Sequence, residues 1–235
     1  AKKRRLKVYS FSTKNRTSEV NLNYIKKNKN KNKYLVSINV NNFKRYFNLN
    51  SNFENDIKNL LATVLIISIF KDIRKLGKNI FFNHKTPSGR GDISKIKIFN
   101  KNLNLVDESY NSNPLSLKFA LKNFNGMKVN NSKKHLILGD MLELGKHSKK
   151  MHKLASNDIN NSTINTVNVV GKHIKETYKN LNNNKKGLVL KSNSQIFDLI
   201  KNNINNDDYL MIKGSNSTGL NKITNEIKKG KIDAL

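Results

Sequence analysis

The first fifty residues carry apolar side chains at alternating or β-rich positions, a pattern typical of strands with one buried face. Asn41 and Asn42 stand between the last two of these runs and predict a hairpin turn. From Asp56 the apolar spacing becomes helical, and we expect the helix to run to about Leu76 and to end at Gly77. The strand-like runs are LKVYSF (6–11), EVNLNYI (19–25), KYLVSINV (33–40) and FKRYFNL (43–49).

After the loop HKTPSGRGD (84–92), strand-like runs alternate with helical stretches. Such alternation predicts an α/β domain with a mainly parallel sheet, and we place a domain boundary between residues 92 and 93. The runs are KIKIF (95–99), LNLVD (103–107), KHLILGD (134–140), NTVNVVG (165–171), GLVLK (187–191) and YLMIKG (209–214). Helices are expected to start near Pro114, Lys146, His173, Ser194 and Gly219.

Composition narrows the classes of protein that fit. The net charge of +29 would suit a partner of nucleic acid or of an anionic membrane. However, the 39 Lys and 42 Asn are spread along the whole chain, with only six Arg and no Trp, so charge alone does not indicate a dedicated binding patch. The absence of Cys excludes disulfides and thiolate metal sites, and the scattered His residues do not favour a metal site.

The apolar run LLATVLIISIF (60–70) is about half as long as a membrane-spanning helix needs to be, so it predicts a buried core helix. The basic start, AKKRRLKVYS, is not followed by a long apolar segment and does not resemble a secretory signal. We therefore expect a soluble, cytoplasmic protein without membrane insertion.

Distinctive polar strings follow four predicted strands, at the edge of the sheet where ligands of α/β proteins bind. They are DESYNSNP (107–114), GDMLELG (139–145), GK (171–172) and KGSNSTG (213–219). Each has an ordinary structural explanation; for example, Asn113 before Pro114 is a good helix N-cap. A phosphate loop of the G-x-x-x-x-G-K-[ST] type is absent from the 235 residues.

Taken in order, these strings resemble the C-terminal half of the Mur ligases, and among them the members that join D-alanyl-D-alanine to a UDP-N-acetylmuramoyl-tripeptide. The family segments D-[DE]-S-Y-N-A-N-P, L-G-D-M-x-E-L-G and K-G-S-R-S are similar to residues 107–114, 138–145 and 213–217, and Ser148 and His152 follow the second segment as in the family. Upstream, NDIKNLLAT (55–63) and PSGRGD (87–92) also resemble family segments.

The resemblance implies that residues 1–92 are the C-terminal part of a central ATP-binding domain. It also implies that residues 93–235 form a Rossmann-like C-terminal domain that binds the amino substrate. ATP and Mg2+ are the implied cofactors, with the magnesium ligands mostly upstream of this sequence. The implied reaction activates the tripeptide carboxylate as an acyl phosphate, which the amine of D-alanyl-D-alanine attacks; the implied enzyme is a monomer without a specific nucleic-acid partner.

The resemblance also implies roles for residues in ATP binding. Asn59 matches the asparagine that contacts adenine, and Arg90 matches the arginine near the phosphates, where a guanidinium suits planar oxyanions. Glu108 occupies the acidic position of the ribose hydroxyls, with Asp107 beside it as a substitute.

Substrate-binding roles are implied in two further groups. Tyr110, Asn111 and Asn113 would line the junction at which the two substrates meet. A lysine and backbone N–H groups at a helix start would hold the dipeptide carboxylate. The residues of this second group are Lys213, Gly214 and Ser215, at the mouth of the amino-substrate pocket.

Three departures from the family pattern stand out. Asn55 and Asp56 replace a His and an Asn, and Asn216 replaces the arginine of K-G-S-R-S. The phosphate loop, the magnesium-binding acids and the carbamylated lysine of the family match nothing in the 235 residues. We therefore expect this chain to be incomplete as a ligase and inactive when assayed alone.

Three other interpretations stay open at this point. One is a basic nucleic-acid-binding protein. Another is a different Mur or folyl-polyglutamate-type ligase, against which SYNSNP (109–114) stands, since those members resemble D-Y-A-H-T-P or D-D-Y-x-H-H-P there. The third is a remnant without catalytic activity.

Overall fold

A computed structural model describes residues 6–28, 33–41, 43–50, 52, 54–83 and 88–230. The chain forms two compact units, residues 1–85 and 86–235. The division falls inside the loop in which the sequence places a boundary, although residues 84–87 of that loop lie outside the described residues. The assignment of the units to two family domains, with a boundary at residue 92, stays a prediction.

The first unit is a four-stranded sheet with one long helix. The strands follow the chain in the order β1-β2-β3-β4, and only β1 and β2 are parallel. Apolar side chains of β3, β4 and the helix, such as Ile38, Phe47 and Leu61, form a core of their own. The elements are β1 (Phe11–Ser12), β2 (Val20–Lys27), β3 (Tyr34–Val40), β4 (Phe43–Leu49) and α1 (Glu54–Phe70).

The predicted hairpin between β3 and β4 is present, because Val40 pairs with Phe43 in antiparallel register. Asn41 adopts φ 51°, a left-handed conformation that asparagine tolerates better than most residues. Asn42, the other residue of the predicted turn, lies outside the described residues.

Two predictions for this unit are wrong in extent. The strand expected over 6–11 is reduced to Phe11 and Ser12, and Leu6 and Val8 are exposed because β2 pairs only with those two residues. The helix expected to reach Leu76 ends at Phe70. The Asp72 side chain accepts a hydrogen bond from the backbone N–H of Arg74 (2.9 Å) and closes a separate 3-10 turn, an alternative that Asp often offers the backbone.

The apolar segment 60–70 is buried only on one side. Leu61, Val64 and Leu65 contact the core, whereas Ile66 and Phe70 are 58% and 79% exposed. In the part of the chain that the structure describes, no helix combines the length and the apolar character needed to cross a membrane.

The second unit is a six-stranded sheet between two layers of helices, which confirms the predicted α/β fold. The strand order is β5-β6-β10-β7-β8-β9; β5 is antiparallel to β6, and all other neighbours are parallel. The strands are β5 (Asp92–Ile98), β6 (Lys101–Glu108), β7 (Lys134–Gly139), β8 (Thr166–Val170), β9 (Lys186–Leu190) and β10 (Tyr209–Lys213). The helices are α2 (Pro114–Gly126), α3 (Ser148–Asn160), α4 (Lys175–Lys179), α5 (Gln195–Asn203) and α6 (Leu220–Lys229).

Helices cover both faces of this sheet, so its central strands are apolar on both sides. Alternate residues of β8 illustrate the arrangement: Val167 and Val169 pack with residues of α2, α3 and α4, and Val170 packs with residues of α5 and α6. Because the strands are parallel and in register, the carboxyl ends of β6, β10 and β7 lie side by side, with Lys213 opposite Glu108 and Leu138.

Candidate functional site

The carboxyl ends of β6, β10 and β7 bring three of the distinctive strings together. Ser215 makes the connection, and it is almost fully buried. Its hydroxyl donates to the carbonyl of Ser112 (3.1 Å) and accepts from the backbone N–H of Leu142 (2.8 Å). Its own backbone N–H donates to the carbonyl of Asp140 (3.0 Å). One serine of KGSNSTG therefore holds both DESYNSNP and GDMLELG in place.

Lys213 and Glu108 form a second connection between β10 and β6. The Lys213 ammonium lies 3.3 Å from the Glu108 carboxylate and donates to the carbonyl of Asn111 (3.0 Å). Burial lowers the pKa of Lys213 and raises the pKa of Glu108, and the attraction between the two groups opposes both shifts. The Glu108 side chain is still 18% exposed, so part of its carboxylate faces the edge of the sheet.

The structure buries Lys213, a residue that we expected at the mouth of the amino-substrate pocket. Its side chain is 1% exposed and its ammonium contacts groups of the protein. Gly214 and Ser215 are buried as well. The physical reason is that Lys213 is the last residue of the central strand β10, between β6 and β7, where its ammonium contacts Glu108 and the carbonyl of Asn111. These three residues build the edge of the sheet, and contact with a dipeptide carboxylate stays an untested prediction.

Asp107 and Glu108, the two candidate ribose ligands, differ in their surroundings. Both oxygens of Asp107 are occupied: Oδ1 accepts from the N–H (3.0 Å) and hydroxyl (2.6 Å) of Ser109, and Oδ2 pairs with Lys228 (2.5 Å). Asp107 is also buried, unlike Glu108. Of the two carboxylates, Glu108 is therefore the one that a ligand can reach.

Arg90 and Tyr110 form the exposed part of the same edge. The Arg90 guanidinium carbon lies 4.4 Å from the centre of the Tyr110 ring, a cation–π geometry. Both side chains are exposed, and the backbone N–H of Tyr110 donates to the carbonyl of Gly89 (3.0 Å). The structure thus places an accessible cation, Arg90, against an accessible aromatic ring, Tyr110, which follows Glu108 by two residues at the end of β6.

Asn111 and Asn113 have local structural tasks. Asn113 is the N-cap of α2: its side chain accepts from the N–H of Ser116 (2.8 Å), and the Ser116 hydroxyl lies 3.0 Å from the Asn113 N–H that donates to it. This confirms the predicted cap, with Pro114 in the first turn. The Asn111 side chain accepts from the N–H of Ser112 (2.7 Å). Both asparagines remain exposed.

The loop GDMLELG is held by two residues that our site prediction did not include. Asp140 accepts from the N–H of Ile174 (2.7 Å) and of Lys172 (3.1 Å), which ties the loop to GK after β8. His152 is fully buried, and its Nε2 accepts from the N–H of Met141 (3.0 Å). Asp140 could have been found from the sequence, because it stands directly after a strand. His152 was indicated only by the resemblance.

His152 is held as a neutral imidazole. Nε2 is an acceptor and Nδ1 lies 2.8 Å from the carbonyl of Ser148, so the network assigns the proton to Nδ1. Burial is the main cause that lowers the pKa of His152, and the nearby His173 adds to it, against opposing contributions from Ser148, Asp140 and Glu176.

Asn59 lies in the other compact unit, exposed on α1. Its adenine contact stays a prediction. Among the described residues, no group of three or more His, Cys, Asp or Glu side chains could hold a metal ion. The described chain therefore offers no residues to which Mg2+ can be assigned.

Comparisons with known proteins agree on one family. The family model described as "Mur ligase, glutamate ligase domain" matches residues 95–216. A protein of Buchnera aphidicola (subspecies Baizongia pistaciae), named UDP-N-acetylmuramoyl-tripeptide–D-alanyl-D-alanine ligase, is 31% identical over 182 residues, which cover 74% of this chain and 36% of that protein. A protein of the same name from Rickettsia prowazekii is 30% identical over 171 residues, or 70% of this chain and 35% of that protein.

Solved structures show the same fold. The crystal structure of MurF ligase from Thermotoga maritima in complex with ADP superposes with a TM-score of 0.67 at 17% identity, covering 92% of this chain and 47% of that one. A MurF structure from Acinetobacter baumannii gives a TM-score of 0.72 at 17% identity, covering 94% and 47%. The chain thus spans about a third of the curated relatives and less than half of these structures.

Proposed function

The chain belongs to the Mur ligase family, and from this premise we propose that it takes part in the ATP-dependent joining of D-alanyl-D-alanine to UDP-N-acetylmuramoyl-tripeptide during peptidoglycan precursor synthesis. The names of its curated relatives support the choice of reaction within the family. Since the chain spans only part of those relatives, the activity, ATP and both substrates are proposals.

The observation that carries the proposal is the position of Ser215. Its hydroxyl and backbone N–H connect the three strings that resemble the family segments, although they are far apart in the sequence. These contacts lie at the carboxyl edge of a parallel sheet, where ligands bind. A chain that had inherited the three strings but lost the ligand site would not need to keep the contacts between them.

In the proposed reaction, ATP supplies the phosphoryl group that activates the tripeptide carboxylate as an acyl phosphate. The amine nitrogen of D-alanyl-D-alanine then forms a bond to the acyl carbon, phosphate leaves with the electrons of the C–O bond, and the nitrogen loses a proton. Charge stabilisation and positioning are the main tasks of a protein in such transfers.

The exposed residues of the edge suit these tasks. Arg90 can donate to phosphate oxygens with its guanidinium fork, while its other face lies on Tyr110. The Glu108 carboxylate can accept hydrogen bonds from ribose hydroxyls. Tyr110, Asn111 and Asn113 are left for the junction of the two substrates, and Asn59 of the first unit for adenine. The ADP in the Thermotoga maritima structure supports an adenine nucleotide as the cofactor.

The proposal includes Mg2+ only as the cation that is bound together with ATP. No cluster of ligating side chains exists in the described part of the chain, so we derive no step through the metal. Lys213, Gly214 and Ser215 are buried and build the edge of the sheet, and their contact with the dipeptide carboxylate stays a prediction.

The test is a phosphate-release assay on the gene product in its natural length, with ATP, the UDP-linked tripeptide and D-alanyl-D-alanine. Arg90→Ala and Glu108→Gln are expected to raise KM for ATP by about 10- to 100-fold, the equivalent of one charge-assisted hydrogen bond. Glu226→Ala, which removes an exposed acid of α6, is the control and should leave KM unchanged.

Phosphate release that does not require D-alanyl-D-alanine would contradict the proposed substrate, and unchanged KM values in both site variants would contradict the proposed ATP site. These 235 residues assayed alone are expected to show no turnover, because the sequence lacks a phosphate loop.

A further inference from the structure

Lys228 lies on the last turn of α6, and its ammonium reaches three side chains of distant segments. It lies 2.5 Å from Asp92 Oδ2, 2.5 Å from Asp107 Oδ2 and 3.1 Å from the hydroxyl of Ser88. Its side chain is 20% exposed, whereas that of Asp107 is 2% exposed. Neither the sequence resemblance nor the proposed reaction gives this lysine a role.

The segment 88–92, which we name the Arg90 loop, depends on the same partners. The backbone N–H of Gly89 donates to Asp92 Oδ1 (2.7 Å), and the N–H of Gly91 donates to the carbonyl of Asp107 (2.7 Å). The carbonyl of Gly89 accepts from the N–H of Tyr110 (3.0 Å). Each of these bonds lies within the loop or joins it to the end of β6.

Charge explains why a cation is needed at this point. Asp92 and Asp107 each place one oxygen against the same ammonium, so the two carboxylates are close neighbours. Like charges at short distance repel, and an ammonium between them turns the repulsion into attraction. The hydrogen bonds to Asp107 and Asp92 raise the pKa of Lys228 against the opposing effect of burial, so the lysine stays protonated.

We infer that Lys228 is a positioning residue that holds the Arg90 loop against the end of β6 and thereby sets the place of the Arg90 guanidinium beside Tyr110. Asp92 is the contact on the loop, and Asp107 is the contact on the strand. The identity of the ligand that Arg90 meets rests on the proposed function, whereas the positioning rests on these contacts alone.

The structure offers a matched control in the neighbouring residue. Lys229 lies on the same turn of α6, is exposed, and would lose the same charge on substitution by Met. Lys228→Arg keeps the charge and can still reach two carboxylates. Any effect of Lys228→Met that Lys229→Met lacks and Lys228→Arg restores is therefore due to the contacts with Asp92 and Asp107.

The experiment is NMR spectroscopy of the 235-residue chain and these three variants. In the wild type, the Tyr110 ring current is expected to shift the side-chain resonances of Arg90 upfield. Lys228→Met should abolish this shift and raise amide exchange at Gly89, Gly91 and Tyr110 by at least tenfold. Lys229→Met should change neither, and Lys228→Arg should restore both in large part.

An Arg90 shift and amide protection that persist in Lys228→Met would overturn the inference. If Lys228→Met does not fold, Asp92→Asn provides the second variant, because it keeps the size of the side chain and removes the charge that faces Lys228. Asp92→Asn should raise exchange at the same amides, and unchanged amide exchange in this variant would equally overturn the inference.

Kinetics of the natural-length gene product separate this inference from the proposed function. Lys228→Met should raise KM for ATP with a much smaller change in KM for D-alanyl-D-alanine. If no ligase activity exists, the proposed function fails, while the NMR result still decides whether Lys228 positions Arg90.

Discussion

Two glycines at the edge of the sheet are required by packing. The Cα of Gly214 faces that of Gly139 on the neighbouring strand, and Leu220 covers both. A Cβ on Gly214 would lie 2.7 Å from Leu220 Cδ1, 3.0 Å from Thr218 Oγ1 and 3.2 Å from the Gly139 Cα. Real Cβ atoms do not approach that closely, so the glycine of K-G-S permits contact between a strand end and α6.

Gly214→Ala is expected to lower the free energy of unfolding by about 1–3 kcal/mol, the usual cost of overpacking. The matched control is Gly126→Ala at the end of α2, where a Cβ would meet nothing within 4 Å. The control should be neutral or stabilising by up to about 1 kcal/mol. Urea unfolding monitored by circular dichroism measures both, and equal stability of the two variants would contradict the packing role.

His152 makes stability dependent on pH. Its folded-state pKa is lowered below 6.5, mainly by burial, so the unfolded chain binds more protons than the folded chain once the pH falls below 6.5. The contribution of His152 to the free energy of unfolding is therefore complete above pH 6.5, and it is lost as the pH falls toward the folded-state pKa of His152.

The variant His152→Leu tests both the hydrogen bond to Met141 and the pH dependence of stability. It should cost about 1–3 kcal/mol at pH 7.5, because the N–H of Met141 loses its acceptor, and should show a weaker fall in stability between pH 6.5 and 5 than the wild type. The exposed His147, replaced by Leu, is the control. A wild-type pH dependence that His152→Leu retains in full would mean that other groups cause it.

Several lysines act at the level of whole helices, which gives part of the high lysine content a structural explanation. Lys134 donates to the carbonyl of Asn125 at the end of α2 (2.8 Å), and Lys101 donates to that of Lys201 at the end of α5 (2.6 Å). Lys185 donates to the carbonyls of Ser162 (2.8 Å) and Ile164 (2.7 Å) after α3. Cations suit these positions because helix ends carry unpaired carbonyls and partial negative charge.

Lys185→Met should therefore lower the free energy of unfolding by about 1–3 kcal/mol, since two carbonyls lose their donor in a buried place. Lys186→Met removes the same charge from the next residue, whose ammonium donates to the exposed Asn183 side chain (3.2 Å) and lies 5.9 Å from the centre of the Tyr178 ring. Thermal unfolding of the pair at equal ionic strength measures the difference. A larger loss in the Lys186 variant would contradict the capping role.

Secondary-structure elements were predictable where local pattern decides them. The six strands and five helices of the second unit lie where the alternation of strand-like runs with helical stretches predicts them. The strand signal is strong because a sheet covered on both faces needs apolar strands. The segment 6–11 has a strand-like pattern but lacks a partner along most of its length, and pairing cannot be read from one segment. The early end of α1 depends on a single side chain, Asp72, in competition with the helix.

At the scale of the whole molecule, the net charge of +29 is the property that most invites a different function. In the described structure, individual lysines bind carbonyl or carboxylate groups of the protein in separate places; examples are Lys185, Lys213 and Lys228. We therefore propose that contact with nucleic acid is non-specific attraction between opposite charges.

The prediction is that the chain binds a short DNA duplex at 0.05 M salt without sequence preference, and that affinity falls by about 10³–10⁵ between 0.05 and 0.2 M salt if six to ten phosphates are contacted. Fluorescence anisotropy with two unrelated duplexes and a matched RNA measures this. A tight, saturable complex with one of them at physiological salt would instead favour the nucleic-acid-binding interpretation. That the protein is a monomer stays a prediction.

The sequence by itself determined the class of fold, the family and the place of the distinctive strings at strand ends. These properties follow from local periodicity and from short motifs, which are written continuously along the chain. The N-cap at Asn113 belongs to the same group, because its partner Ser116 is three residues away.

Only the tertiary structure decided which polar groups face a ligand and which hold the protein together. Lys213 meets Glu108 across 105 residues, Ser215 meets Ser112 across 103, and Lys228 meets Asp92 across 136. Such pairs form only when strands and helices pack, and packing decides whether a charged side chain is buried with a partner or left in water. Packing therefore buries Lys213 against Glu108, and it brings Lys228, which no motif marks, into contact with Asp107 near the end of β6.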